Sequence, residues 1–312
     1  MLVALGGGVE LTVSHVPRED GSHVVVYGLA DDEPQPARPT IVLLQCSGAN
    51  SVFPCAEGRT SAPLLFHALR ALRAEWNVYF VEKRGVDFGQ GEPEGGARAA
   101  STEYRRGACY QERVADVCHA LDCLTATHAG ANRPLLLIGS SEGSDIAAGV
   151  AARHSAPTHL ALLPFSAGHG LFDSLTGLRA EFARGELSPA EFQEQYDWLV
   201  ETFRGILATA GDGAEGYLWG HTHQRWRSHC SGEVLADLLH VESPVFLGIP
   251  SLDRCEGIDL AVAEFVRQGK TNLTYRNYPN YDHGFFEHTG DRVECRHADV
   301  LADILQWLAS WS

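Results

Sequence analysis

Lysine is nearly absent: Lys83 and Lys270 are the only two in 312 residues, and arginine supplies the rest of the positive charge. Basic side chains number 24 against 40 acidic ones, giving a formal charge of −16 with histidine neutral. Such a surface repels phosphate backbones and anionic membranes, which argues against a nucleic-acid partner. No apolar run reaches the roughly 18–20 residues that cross a bilayer, so no membrane role is expected. The opening MLVALGGGVE lacks a basic stretch, and its apolar run is too short for a secretory signal; a cytoplasmic protein is expected. The eight cysteines include no Cys-x-x-Cys pair, and without an export signal they read as buried free thiols. Metal spacing is absent too. The GHTH stretch offers His221 and His223 without a third ligand, and Cys118 and Cys123 lie five apart on a helical stretch. No cofactor is expected.

What is present belongs to a globular chain: 45% apolar residues, 21% charged, with 32 glycines and 14 prolines spread along it. The length suits two average domains or one large α/β unit with an insertion. Val9 to His15 and His23 to Tyr27 are β-rich and flank a turn, which predicts a hairpin. A polar spacer, DDEPQPARP, follows. The runs Ile41 to Gln45, Asn77 to Lys83, Leu135 to Ile138, His159 to Leu163 and Pro244 to Ile249 are continuously apolar or nearly so, as strands buried on both faces should be. Leu273 to Tyr278 reads as a further strand. Between them lie helical patterns at Pro63 to Ala74, Arg113 to Thr125, Asp145 to Ala152 and Leu260 to Gln268, and a helix at Ala298 to Trp311 closes the chain. This alternation predicts an α/β fold with a mostly parallel sheet covered by helices on both sides. From Gly168 to His240 no buried strand appears, and charged and aromatic residues recur at helical spacing. There Ser188, Pro189 and Glu191 mark a helix start. The expected division is therefore a core of residues 1–167 and 241–312 and a helical insertion of 168–240.

The strongest chemical signal is Gly139-Ser140-Ser141-Glu142-Gly143, a G-x-S-x-G pentapeptide placed directly between a buried strand and an Ala-rich helix. So sharp a turn strains the backbone at the central serine and aims its hydroxyl outward at the carboxyl edge of the sheet. The helix N-terminus beneath it favours developing negative charge. Ser141 is thus the candidate nucleophile, and Ser140 points away. A serine needs a base and the base an orienting carboxylate. Among 15 histidines, His283 stands out, in a loop just after the last predicted strand. Asp253, four residues beyond the penultimate strand, leads as the acid; Glu256 and Asp259 are nearby competitors. Asp282 adjoins His283 in sequence, so its side chain should diverge from the ring. The chain order Ser141, Asp253, His283 is that of the α/β-hydrolases.

Other segments carry the same resemblance over nearly the whole chain outside the insertion. IVLLQCSG resembles the family's strand and oxyanion loop, apolar-HG-x-G. VYFVEKRGVDFGQG resembles its D-x-RG-x-G-x-S loop, and PVFLGIPSLD its PVLVVHGxxD, which puts Asp253 on the acid without a gap. The chain departs from the pattern at Gln45-Cys46 and Ile249-Pro250, each in place of His-Gly, and at Glu82 in place of Asp. The resemblance implies a serine esterase with an inserted helical cap, acting through an acyl-enzyme on a small-molecule ester. It also implies an oxyanion hole made of the backbone N–H groups of Ser47 and Glu142. The expected role of the Glu142 side chain is to point away and cap its helix, with selection of cationic or hydrogen-bonding substrates as the alternative. Amidase, aminopeptidase, thioesterase or acyltransferase activity would use the same residues, and a binding protein that retains only the fold is the reading from another class. Homo-oligomer formation is left open.

Overall fold

The computed structural model describes residues 2–6, 9–29, 37–57, 59–127, 133–209, 216–254 and 257–311. Residues 31–36 of the polar spacer, Cys255 and Glu256 lie outside them. The strands of the main sheet are β1 (Leu2–Gly6), β2 (Val9–Pro17), β3 (His23–Leu29), β4 (Thr40–Leu44), β5 (Asn77–Val81), β6 (Leu135–Ser140), β7 (His159–Leu163), β8 (Val245–Pro250) and β9 (Leu273–Tyr278). They form one nine-stranded sheet in the order β1-β2-β3-β5-β4-β6-β7-β8-β9. The first three strands join by antiparallel pairing and β3 meets β5 the same way, while β4 to β9 run parallel.

Every residue of β4 to β7 is buried, because helices cover both faces. The helices are α1 (Phe66–Ala71), α2 (Thr102–Gly107), α3 (Tyr110–Thr127), α4 (Glu142–Arg153), α5 (Gly170–Ala183), α6 (Pro189–Ala208), α7 (His223–His229), α8 (Glu233–His240), α9 (Gly257–Arg267) and α10 (His297–Ala309). The two-residue period of a strand decides which layer each side chain joins. Val42, Leu44, Leu135 and Leu137 pack with α3, α4, α8 and α9, whereas Ile41, Leu43, Leu136 and Ile138 pack with α1 and α10.

Helices α5 to α8 fill the chain between β7 and β8. Helix α6 starts where its sequence says it should: Ser188 Oγ accepts from Glu191 N, Glu191 Oε2 accepts from Ser188 N, and Pro189 takes the first helical position. The first helix is shorter than its pattern, because Leu65 adopts a left-handed conformation (φ 63°) that no helix can include. Strand β1, helix α2 and a hairpin of Phe286–Thr289 with Arg292–Cys295 lie outside the sequence-based assignments. The seven described cysteines are free thiols, but they are not uniformly buried: Cys109 is buried, while Cys55 and Cys295 are exposed. Among the described residues no helix is long and apolar enough to cross a membrane.

Candidate active site

Strand β6 ends directly at the strained serine. Ser141 has φ 57° and ψ −125°, a conformation that non-glycine residues rarely adopt, and α4 begins at the next residue. The flanking glycines make the turn sterically feasible. A Cβ at Gly139 would lie 2.4 Å from Ser144 Cα, and one at Gly143 would lie 2.2 Å from the Leu44 carbonyl oxygen. Strand β7 fixes the turn from the other side: Ser141 N donates to Leu163 O at 2.8 Å, and Leu163 N donates to Ser144 Oγ at 2.9 Å. Ser140 is buried in register with Leu163. The Ser141 side chain makes no helix-capping hydrogen bond.

Asp253 and His283 come from the loops after β8 and β9, at the same carboxyl edge. The histidine Nδ1 donates to the Asp253 carboxylate, 2.9 Å from Oδ2 and 3.0 Å from Oδ1. Leu252 N reaches across to Tyr281 O at 2.9 Å, tying the two loops together. The hydrogen bond to Asp253 raises the His283 pKa above the usual imidazole value, with burial acting in the opposite sense. Asp282 serves its own loop instead: Oδ1 accepts from Gly284 N and Phe286 N, and Oδ2 meets His288 Nε2 at 2.8 Å. His297 Nε2 meets Gly284 O at 2.8 Å, and Phe285, fully buried, anchors the turn. Asp259 lines a cavity of about 320 Å³ together with Asp253 and is not a hydrogen-bond partner of His283. No hydrogen bond joins Ser141 to His283 among the described residues.

Neither a family model nor a curated protein matches the sequence. Solved structures do match in shape. The siderophore hydrolase EstB from Aspergillus fumigatus superposes with a TM-score of 0.60 at 14% identity, over 98% of each chain. A thermostable carboxyl esterase from Bacillus coagulans gives 0.52 at 14%, over 96% of this chain and 97% of that one. Dipeptidyl peptidase 4 from Porphyromonas gingivalis gives 0.57 at 10%; there this chain spans only 35% of the longer protein. The chain has the α/β-hydrolase fold.

In this α/β-hydrolase-fold chain the Glu142 side chain does not cap its helix. It is buried, and it pairs with Arg113 of α3 through Oε1 and with Arg225 of α7 through Oε2, the latter with distances of 2.6 and 2.7 Å. Burial disfavours its charge, but Arg225, His229, Arg113 and His221 outweigh that and hold the carboxyl well below the usual carboxylate range. Burial and the nearby Arg225 push His221 down to about 4. Asp145, one turn along α4, faces His229 Nδ1 at 3.4 Å and accepts from Ser166 Oγ. Neither arginine stands out in the sequence, since an arginine at position 113 or 225 looks like any solvated helical charge.

A cavity of about 450 Å³ opens between α5, α6 and the loop after β8. Leu178, Leu199, Trp198 and Trp219 supply apolar wall, and Asp173, Glu181 and Arg254 the charge. Arg254 NH1 pairs with Glu181 Oε1 at 2.5 Å, and Gly257 N donates to Asp173 Oδ1 at 2.7 Å. The loop that carries Asp253 is thereby fastened to α5.

Proposed function

We propose that this protein is a serine hydrolase that cleaves a carboxylic ester through an acyl-enzyme, with Ser141, His283 and Asp253 as its triad. The observation that carries the reading is the pairing of His283 Nδ1 with Asp253 beyond the carboxyl edge of the sheet, the edge at which Ser141 sits in its strained turn. His283 takes the serine proton as Oγ attacks the ester carbonyl, and Asp253 orients the ring and stabilises its cationic form. The N–H groups of Ser47 and Glu142 receive the developing oxyanion. His283 then protonates the leaving alcohol, and water repeats the sequence on the acyl-enzyme. The bond from His283 to Ser141 forms with substrate in place; such bonds are commonly long in unliganded hydrolases.

Helices α5 to α8 act as the cap, and the cavity between Trp198 and Trp219 holds part of the substrate. Esterases and a siderophore hydrolase among the similar folds support an ester, although a peptidase shares the fold as well. Amide and thioester cleavage, or acyl transfer, would use the same triad. Reaction with a fluorophosphonate probe, with the adduct mapped by mass spectrometry, and hydrolysis of p-nitrophenyl esters across acyl lengths test the reading. Wild type should be labelled on Ser141 and turn over; Ser141→Ala should lose both while keeping its fold. An unlabelled, inactive wild type would point instead to a binding protein.

A further inference from the structure

The loop after β4 is braced by side chains from the end of β5. Glu82 and Lys83 follow that strand directly, and both are buried, 3% and 6% exposed. Glu82 Oε2 accepts from Ser51 Oγ at 2.6 Å and from Val52 N at 2.8 Å, at the far end of the loop. Lys83 Nζ donates to Cys46 O at 3.4 Å, at its near end. One residue earlier, Arg113 NH2 donates to Gln45 O at 3.4 Å. The first two carbonyls of the loop thus each accept from a buried basic side chain.

Sheet order gives these contacts a direction. Strand β4 lies between β5 and β6, so the end of β5 is on one side of the loop and Ser141 is on the other. In a trans peptide the C=O and the following N–H point in opposite directions. A Cys46 carbonyl turned toward Lys83 therefore turns the Ser47 N–H toward the Ser141 side. A family-like His-Gly at 45–46 is absent here, and the Glu82-Lys83 pair supplies the constraint from outside the loop.

We propose that Lys83 is a positioning residue that holds the Cys46–Ser47 peptide with its N–H aimed at the oxyanion. The donated hydrogen bond draws electron density toward the carbonyl oxygen and so also strengthens that N–H as a donor. This rests on the serine-hydrolase reading, for which Ser141→Ala is the separate control.

The test compares wild type with Lys83→Met and Lys83→Gln, each checked for folding by circular dichroism and urea unfolding. Two quantities are read: kcat and KM on a p-nitrophenyl ester, and the inhibition constant of a trifluoromethyl ketone, whose hemiketal oxyanion occupies the same place. For Lys83→Met, kcat should fall about 10- to 100-fold with KM little changed, less than the 10²–10³ typical of deleting an oxyanion donor outright. The inhibitor should weaken by a similar factor, and Lys83→Gln, which keeps a shorter donor, should fall between. A folded variant of either kind with kcat and inhibitor affinity within about twofold of wild type overturns the proposal. So does failure of both variants to fold, because Lys83 would then be a support of the core. If wild-type activity survives Ser141→Ala, the triad reading fails instead.

Discussion

Gly143 and Leu44 touch backbone to backbone: a Cβ on the glycine would lie 2.2 Å from the Leu44 carbonyl oxygen and 3.0 Å from that of Gln45. The start of α4 is therefore pressed onto the loop that carries Ser47, which fixes the separation between the two proposed oxyanion donors. Gly143→Ala has to push that loop away. Overpacking of this kind costs about 1–3 kcal/mol, and the loss in kcat should exceed tenfold because both donors move relative to Ser141. Urea unfolding and ester kinetics on the same preparation check it; wild-type kcat in a measurably destabilised variant would detach the loop from catalysis.

Under the proposed triad, the Asp253–His283 hydrogen bond should set the acid limb of activity. Imidazolium cannot accept the serine proton, so the rate falls as pH drops through the His283 pKa. That pKa is raised above 6.5, which places the limb on the alkaline side of 6.5. Asp253→Asn removes the carboxylate and should move any residual limb to lower pH, with kcat lower by about 10⁴ if the analogous triad substitution is a guide. A pH–rate profile of kcat/KM for both proteins decides this. An unmoved limb and a near-normal rate would assign the orienting role to another acid.

Glu142 holds the buried guanidinium of Arg113 and the largely buried one of Arg225 at once. Glu142→Gln leaves both without a counter-charge, so the unfolding free energy should fall by about 3–5 kcal/mol, as when one member of a buried pair is removed. Converting Arg113, Glu142 and Arg225 together to methionine should cost less than Glu142→Gln alone, since no charge is then stranded. Urea midpoints for the single and triple variants make the comparison.

His221 should contribute to acid lability. Its pKa in the folded chain is depressed to about 4 from 6.5. The unfolded chain therefore binds a proton there that the folded chain does not, and stability falls as pH drops from about 6.5 toward 4. The depression corresponds to about 3 kcal/mol when fully developed. Glu142 acts in the same direction, because its carboxyl is held below the usual range and its contribution is lost as pH falls further. In His221→Gln the slope of stability between pH 6.5 and 4 should be shallower, as measured by urea unfolding at each pH; an unchanged slope would remove His221 from the explanation.

Trp198 and Trp219 stand with their ring centroids 6.1 Å apart at the cavity between α5 and α6, each half exposed. If the cavity receives part of the substrate, Trp198→Ala should shift the best p-nitrophenyl ester to a bulkier acyl or alcohol group and raise KM for short ones several-fold. An identical chain-length profile would place the substrate elsewhere.

Much of this is legible in the sequence, because some features are local. Short continuous apolar runs bounded by turn residues fit strands buried on both faces, and the glycines around Ser141 announce a turn in which a side chain would collide with the neighbouring backbone. The loop positions of Asp253 and His283 follow from where β8 and β9 end. Helix α1 shows the limit of periodicity, since the apolar spacing extends past a residue whose backbone leaves the helical region.

The amino-acid order is enough for most of the strand–helix alternation and for the short-range steric demands, which depend on near neighbours, but not for β1, α2 or the 286–295 hairpin. Which polar groups meet is set by packing in space: Glu142 with Arg113 and Arg225, Lys83 with the Cys46 carbonyl, Arg254 with Glu181. Those partners are up to 83 residues apart. A charged residue reads the same in a sequence whether it will sit in water or in the interior. Its pairing depends on where β5, β4 and β6 bring it in space, because electrostatic interactions act on distance and burial rather than on chain position.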